Sequence, residues 1–171
     1  MCFVNINKDK LEPEGKCGLI VRFFNMQSLL LLLLLSVFLM LFQGEGFCEE
    51  RLSVKSKLAN VRSGPGIDND VIWQVERYHP LIIQEKKSGW MKFKDFEDDV
   101  AWIHASLVDK TESVISIKDS CNVRKGPGTK HPVLFTVERG VPFKVLAKQD
   151  KWLNIEHADG DKGWIYNALV W

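Results

Sequence analysis

Short apolar runs separated by turn residues fill the chain after residue 48. In the first half they lie at residues 71–75, 81–85, 90–93 and 100–103. Ser88-Gly89 and an acidic stretch at residues 95–99 stand between them, and no stretch has apolar residues at helical spacing. Short strands about ten residues apart are typical of a small barrel or sandwich, and a barrel removes exposed sheet edges. The pattern therefore predicts an all-β fold.

Residues 29–42 break this pattern, because they read LLLLLLLSVFLMLF with Ser36 as the one polar residue. The run is shorter than the roughly 20 apolar residues of a membrane span and suits the hydrophobic region of a secretory signal. Gly46 and Cys48 are small residues suited to a cleavage site. We therefore predict a signal segment at residues 1–48 and an exported protein of the periplasm or cell envelope.

Three alternatives remain open at this end of the chain. Residues 19–24, interrupted by Arg22, could extend the apolar run to the length of an uncleaved membrane anchor. Met26 is an alternative start, since basic and acidic residues are mixed before it. Cys48 suggests a lipid anchor, although the bulky Phe47 before it argues against one. Membrane contact is expected only through this segment, if it is retained.

The chain after the signal segment repeats itself at an offset of 62 residues without a gap. NVRSGPG at residues 60–66 returns as NVRKGPG at residues 122–128, and Trp90 and Trp102 return as Trp152 and Trp164. The repeat predicts two domains of equal design, at residues 49–110 and 111–171, joined by a short linker at residues 109–113.

The repeated NVRxGPG motif has a physical interpretation as a tight loop. Alternation turns Val61 inward and Arg62 outward, while Gly64 and Gly66 are expected to permit positive φ around Pro65.

This motif, followed by a Trp-containing strand and a Trp-Ile pair near the end of each copy, resembles the bacterial SH3-like domain from about residue 54 to residue 171. The resemblance implies two tandem five-stranded SH3-like barrels that bind rather than catalyse, because such domains are commonly attached to cell-wall enzymes as targeting modules. Residues 163–170 also resemble the segment of eukaryotic SH3 domains where a strand enters a 3-10 turn. That likeness implies groove positions at Trp90, Trp102, His104, Trp152, Trp164 and Tyr166.

Alternation supports outward aromatic rings independently of the family. Leu153 and Ile155 form the natural inward pair, which leaves Trp152 facing out, and Trp90 lies in the same way beside Met91. Such rings could stack on a sugar or hold a peptide. The alternative is that they pack against the arginine loop and complete a thin core.

Arg62 and Arg124 lie beside the predicted grooves and could pair with a carboxylate of a wall peptide. The alternative is an ion pair with an acidic loop residue. Other positions depart from the eukaryotic pattern, because leucines replace a groove tyrosine and the acidic loop is present in the first copy alone. These departures are Leu107, Leu169, Asp68, Asp70, Lys130 and His131.

Charge and the content of cysteine and histidine narrow the classes of function that the sequence allows. The chain has 23 Lys and Arg against 22 Asp and Glu, which argues against nucleic acid as a partner. Cys121 is the one cysteine after residue 48, and both copies are fully used by barrels, so no thiol enzyme is expected. The histidines lack metal-ligand spacing, and we expect no metal, no cofactor and no catalysis.

The sequence thus predicts a non-catalytic exported module that recognises peptidoglycan, as glycan or peptide, or another envelope component. The alternative is an adaptor that binds an envelope protein, or a regulator of a separate cell-wall hydrolase.

Overall fold

The computed structural model describes residues 49–171, which form β-strands and short 3-10 turns. The predicted signal segment at residues 1–48 lies outside the described residues. Among residues 49–171, no helix has the length and apolar character that crossing a membrane requires.

The first copy forms a seven-stranded antiparallel sheet in the order β3-β2-β6-β5-β4-β1-β7. A 3-10 turn at Ala105–Leu107 connects β6 to β7. The strands are β1 (Glu50–Val54), β2 (Leu58–Arg62), β3 (Val71–Glu76), β4 (Pro80–Lys87), β5 (Trp90–Lys94), β6 (Val100–His104) and β7 (Val108–Asp109).

The second copy forms a six-stranded sheet in the corresponding order β10-β9-β13-β12-β11-β8, and its 3-10 turn is Asn167–Leu169. A single bridge between Ser116 and Val170 replaces the pairing of β1 with β7. The strands are β8 (Ser113–Ile115), β9 (Cys121–Arg124), β10 (Val133–Val137), β11 (Pro142–Gln149), β12 (Trp152–Glu156) and β13 (Lys162–Tyr166).

Each copy has its own apolar core, formed by the inward residues of alternating strands. Phe93 and Ile103 are fully buried in the first core, and Phe143 and Ile155 occupy the second. Leu153 packs against the second core, as the alternation predicts. The chain is therefore an all-β protein with two tandem domains of the same design.

The strand count and the linker differ from the expectation. Five strands of each copy share one order, β3-β2-β6-β5-β4 in the first and β10-β9-β13-β12-β11 in the second. The strand that enters each copy pairs with β4 or β11 and lengthens the sheet. The predicted linker at residues 109–113 shortens to residues 110–112, because Asp109 ends β7 and Ser113 begins β8. The buried Ser53 hydroxyl donates to the carbonyl oxygen of Thr111 at 3.0 Å and ties the linker to the first barrel.

Candidate functional site

A groove of about 590 Å³ runs along the outer face of the first barrel. Strands β2, β3, β5 and β6, the arginine loop after β2 and the 3-10 turn supply its walls. Three of the predicted binding residues, Arg62, Trp90 and His104, line it together. The remaining lining residues are Leu58, Ala59, Asn60, Ile67, Gln74, Ser106 and Leu107.

Trp90 and His104 form an aromatic pair within this groove. They are register partners on β5 and β6, and their ring centroids lie 5.2 Å apart at 84°, an edge-to-face contact. The Nδ1 atom of His104 lies 2.7 Å from the Ser106 hydroxyl at the start of the 3-10 turn. The turn therefore fixes the imidazole, and the half-buried indole of Trp90 keeps part of its surface in solvent.

The second barrel has a groove of about 530 Å³ at the equivalent place. Its aromatic pair is Trp152 with Tyr166, whose centroids lie 5.5 Å apart at 59°. The lining residues are Asn122, Arg124, Gly128, Thr129, Trp152, Tyr166 and Leu169. The two grooves thus share an arginine, a tryptophan and a 3-10 leucine, while histidine in one is replaced by tyrosine in the other.

The guanidinium of each groove arginine is hydrogen-bonded to the main chain of the loop that follows it. Nη1 of Arg62 donates to the carbonyl oxygens of Ile67 at 2.9 Å and Asn69 at 2.7 Å. Arg124 repeats this with Thr129 at 3.1 Å and His131 at 2.9 Å. The acidic loop partner considered as an alternative is thus replaced by main-chain carbonyls, because the loop curls its carbonyl oxygens toward the guanidinium.

The positive φ expected at Gly64 and Gly66 is wrong, because neither residue has one. These glycines are instead placed where a neighbouring side chain lies close to the backbone. A Cβ on Gly64 would lie 2.5 Å from Oδ1 of Asn69, whose Nδ2 donates to the carbonyl of Gly66 at 3.3 Å. In the second copy, a Cβ on Gly126 would lie 2.8 Å from the His131 ring. Each first glycine therefore makes room for a side chain that folds back over the loop.

Trp102 and Trp164 share the outer face with the groove residues but do not line either groove. Trp102 lies two residues before His104 on β6, opposite Arg62 of β2, and Trp164 is the register partner of Arg124. Two residues along a strand are about 6.6 Å, enough to place these half-buried rings beyond the groove. Their contact with a ligand stays a prediction.

Sequence reasoning missed several lining residues. Asn60 and Asn122 each stand two positions before the motif arginine and so lie on the same face of the strand, which alternation could have indicated. Ile67 and Gln74 come into the groove from the loop and from β3, and only the folded loop shows their placement.

Cys121 lies in the second core, fully buried, and its Sγ contacts the carbonyl oxygen of Lys118 at 3.5 Å. Burial raises the pKa of the Cys121 thiol above its ordinary value. Among residues 49–171, no group of three or more His, Cys, Asp or Glu side chains is placed to hold a metal ion.

Side chains from the two barrels meet at a junction. Nη2 and Nε of Arg139 lie 3.1 Å and 3.2 Å from Oε1 of Glu97, and the same guanidinium lies 5.2 Å from the Phe96 ring centroid. In a second contact between the barrels, the guanidinium of Arg51 lies 4.0 Å from the Trp171 ring centroid. Two contacts between a cation and an aromatic ring thus join the barrels.

The model of the bacterial SH3 domain family matches residues 55–110 and 118–171. The two matches together cover more than half of the chain. With the two sheets and the repeated groove, the match shows that the chain belongs to the bacterial SH3 domain family.

Individual relatives match through this repeated region. The chain is 33% identical over 61 residues to the "Probable cell wall amidase LytH" of Staphylococcus epidermidis, which covers 35% of this chain and 21% of LytH. It is 24% identical over 122 residues to the "Putative N-acetylmuramoyl-L-alanine amidase YrvJ" of Bacillus subtilis, which covers 65% of this chain and 23% of YrvJ. The matched part thus spans less than a quarter of these curated relatives.

Solved structures with a related arrangement are distant. An NlpC/P60 family protein from Bacillus cereus is 12% identical with a TM-score of 0.36, covering 71% of this chain and 56% of that chain. NlpC2 from Trichomonas vaginalis is 12% identical with a TM-score of 0.34, covering 74% and 49%. Neither likeness is close enough to carry an argument about function.

Proposed function

We propose that this chain is a non-catalytic, exported binding module of the cell wall that recognises peptidoglycan or another envelope component through one groove on each barrel. The observation that carries the proposal is the repetition of the groove. Both barrels place a half-buried tryptophan, a second ring and a loop-held arginine around a cleft of similar volume. A feature needed only for folding does not require open space beside the rings.

The chemistry of the grooves suits a polymer of sugars and short peptides. The exposed part of an indole ring offers an apolar face for a sugar ring or an aliphatic side chain, and its N–H is a donor. Arg62 and Arg124 add fixed cationic groups that can meet a carboxylate. The relatives named as cell wall amidases match through the region that holds these grooves, which supports a wall ligand.

Sedimentation with purified wall sacculi tests the proposal. The full chain should pellet with sacculi at low salt and stay in solution without them. If it stays in the supernatant with sacculi present, wall binding is wrong. The protein would then fit an adaptor for an envelope protein or a regulator of a separate hydrolase, since its two grooves differ at His104 and Tyr166.

Groove variants separate binding from folding. The double variant Trp90→Ala with Trp152→Ala should bind sacculi at least tenfold more weakly. This corresponds to a loss of about 1.4 kcal/mol in binding free energy. Because both rings are half-buried, the loss of stability should fall below the roughly 3–5 kcal/mol of a core tryptophan. Leu146→Ala, at a 40% exposed site on β11, is the matched control and should bind like the unaltered chain. Thermal melts are recorded beside the sedimentation assay. Unfolding of the double variant, or full retention by it, would contradict ligand binding in the grooves.

Export follows from the signal segment predicted at residues 1–48. Mass spectrometry of the protein recovered from the envelope fraction should find an N-terminus near residue 49. A chain recovered in the cytoplasm with its N-terminal segment intact would overturn this part of the proposal.

A further inference from the structure

A third cleft, of about 440 Å³, opens at the junction of the two barrels. It shares Gln74 with the first groove and no lining residue with the second. The first barrel supplies most of its wall, and Gly140 and Pro142 of the second barrel complete it. A volume in this range suits a ligand the size of an amino acid. The first-barrel lining is Trp73, Gln74, Val75, Glu76, His79, Asp95, Phe96, Glu97 and Asp99.

The cleft has an excess of negative charge. Glu97 is paired with Arg139 at 3.1 Å, and its charge is balanced. Among the ion pairs of residues 49–171, none involves Glu76, Asp95 or Asp99. A concave, partly apolar site with uncompensated carboxylates concentrates a negative potential that attracts a cation.

A buried, unpartnered imidazole is the second, independent sign of a ligand. His79 lines the cleft with a side chain only 8% exposed, and its Nε2 has no hydrogen-bond partner. Burial, which outweighs the opposing charge of Glu97, lowers the pKa of His79 to about 4 and keeps the ring neutral at pH 7. A neutral imidazole adds no positive charge to the cleft, so it does not offset the negative potential of the carboxylates.

An aromatic wall completes the site. The half-buried Trp73 packs against the first core and borders the cleft, and tryptophan is the ring that best attracts a cation over its face. The neighbouring Phe96 ring meets the His79 ring edge-to-face with centroids 6.0 Å apart. Carboxylates, an indole and a neutral imidazole together match an organic ammonium better than a metal ion.

The equivalent surface of the second barrel lacks most of these features. Glu138 and Asp161 repeat two of the carboxylates, but Val141 stands at the position of His79 and Ala158 at the position of Phe96. Phe135 replaces Trp73. The site therefore depends on residues in which the two copies differ, and the second barrel supplies a matched control.

We propose that the junction cleft is a binding site for a primary alkylammonium group, held by Glu76 and Asp99, the Trp73 ring and the imidazole of His79. The ammonium charge meets the carboxylates, and its alkyl stem lies along the indole beside the buried imidazole of His79. A lysine-like side chain and a free amino terminus both carry this group.

Titration of the full chain by NMR, with the Trp73 indole and His79 resonances followed, tests the site. The probes are Nα-acetyl-lysine methylamide for a side-chain ammonium, alanine methylamide for an amino-terminal ammonium, and Nα-acetyl-norleucine methylamide as the uncharged analogue. At least one ammonium probe should saturate these resonances at millimolar concentration, at least tenfold more tightly than norleucine. Comparison of the two ammonium probes identifies the source.

Isosteric variants localise the binding. Glu76→Gln with Asp99→Asn should weaken the better probe at least tenfold, while Glu138→Gln with Asp161→Asn, the same charge change on the second barrel, should leave it unchanged. Equal effects of both pairs would show general charge attraction and overturn the site. So would equal binding of norleucine, no saturation by either ammonium probe, or shifts confined to Trp90 and Trp152. Wall sedimentation of the Glu76/Asp99 variant reports separately on the grooves.

Discussion

At the scale of single residues, His79 is the clearest departure from the repeat. The second copy has Val141 at the same position, half-buried against its core. His79 places a polar nitrogen without a partner in a site that is 8% exposed. A buried, unsatisfied nitrogen costs about 1–3 kcal/mol, so this residue is retained at the expense of stability.

The variant His79→Val should therefore be more stable than the unaltered chain, and its stability should depend less on pH. The pKa of His79 is lowered from 6.5 unfolded to about 4 folded, so the unfolded chain binds more protons between these values. Stability is full above pH 6.5 and falls as the pH drops toward 4, by on the order of 3 kcal/mol from this residue. Urea denaturation of both proteins at pH 7.5 and pH 5 measures the difference. A variant that loses as much stability at pH 5 as the unaltered chain would contradict the assignment.

Residue chemistry in the grooves was partly predictable from sequence. Alternation correctly turned Leu153 inward and left Trp152 on the outer face, because a strand permits two directions only. Alternation does not report position along the strand, so Trp102 was grouped with His104 although it lies beyond the groove. The partners of Arg62 were missed because main-chain carbonyls leave no mark in the sequence.

At the scale of elements, the arginine loop is the part that shapes the groove. Its arginine donates to two carbonyls of the loop, and its first glycine admits Asn69 or His131 against the main chain. The motif predicted a tight loop correctly, but the reason for its glycines lies in contacts that appear only when the loop closes.

Gly64→Ala should cost about 1–3 kcal/mol, since the new methyl group overlaps Asn69. In an Asn69→Ala background the same change should cost less, with a coupling of at least about 0.5 kcal/mol. Thermal or urea unfolding of the single and double variants completes the cycle, and Ser63→Ala, at an exposed site in the same loop, is the control. Additive costs would rule out the close contact as the reason for this glycine.

At the scale of the whole molecule, the gapless repeat predicted two similar barrels but not how they meet. The junction uses Phe96 and Glu97 of the first copy, whose counterparts in the second are Ala158 and Asp159. A repeat alignment emphasises what the copies share, whereas the junction depends on their differences.

Phe96→Ala, which installs the residue of the second copy, should loosen the junction without unfolding either barrel. It removes the contacts with the His79 ring and the Arg139 guanidinium. NMR relaxation should give shorter rotational correlation times for both barrels, because each then tumbles more independently. Leu146→Ala should leave the correlation times unchanged, and unchanged values in Phe96→Ala would show that Phe96 does not hold the barrels together.

The three-residue connection at residues 110–112 also bears on affinity. If the grooves bind a wall polymer as proposed, so short a tether would bring a polymer engaged in one groove to the other at a high effective concentration. Two weak contacts on one strand can then reach an avidity some 10² to 10⁴ times that of either alone, provided that the polymer repeats at the spacing of the grooves. A single barrel would release such a strand at the first dissociation. Release from the pair of barrels requires that both contacts are lost before either forms again.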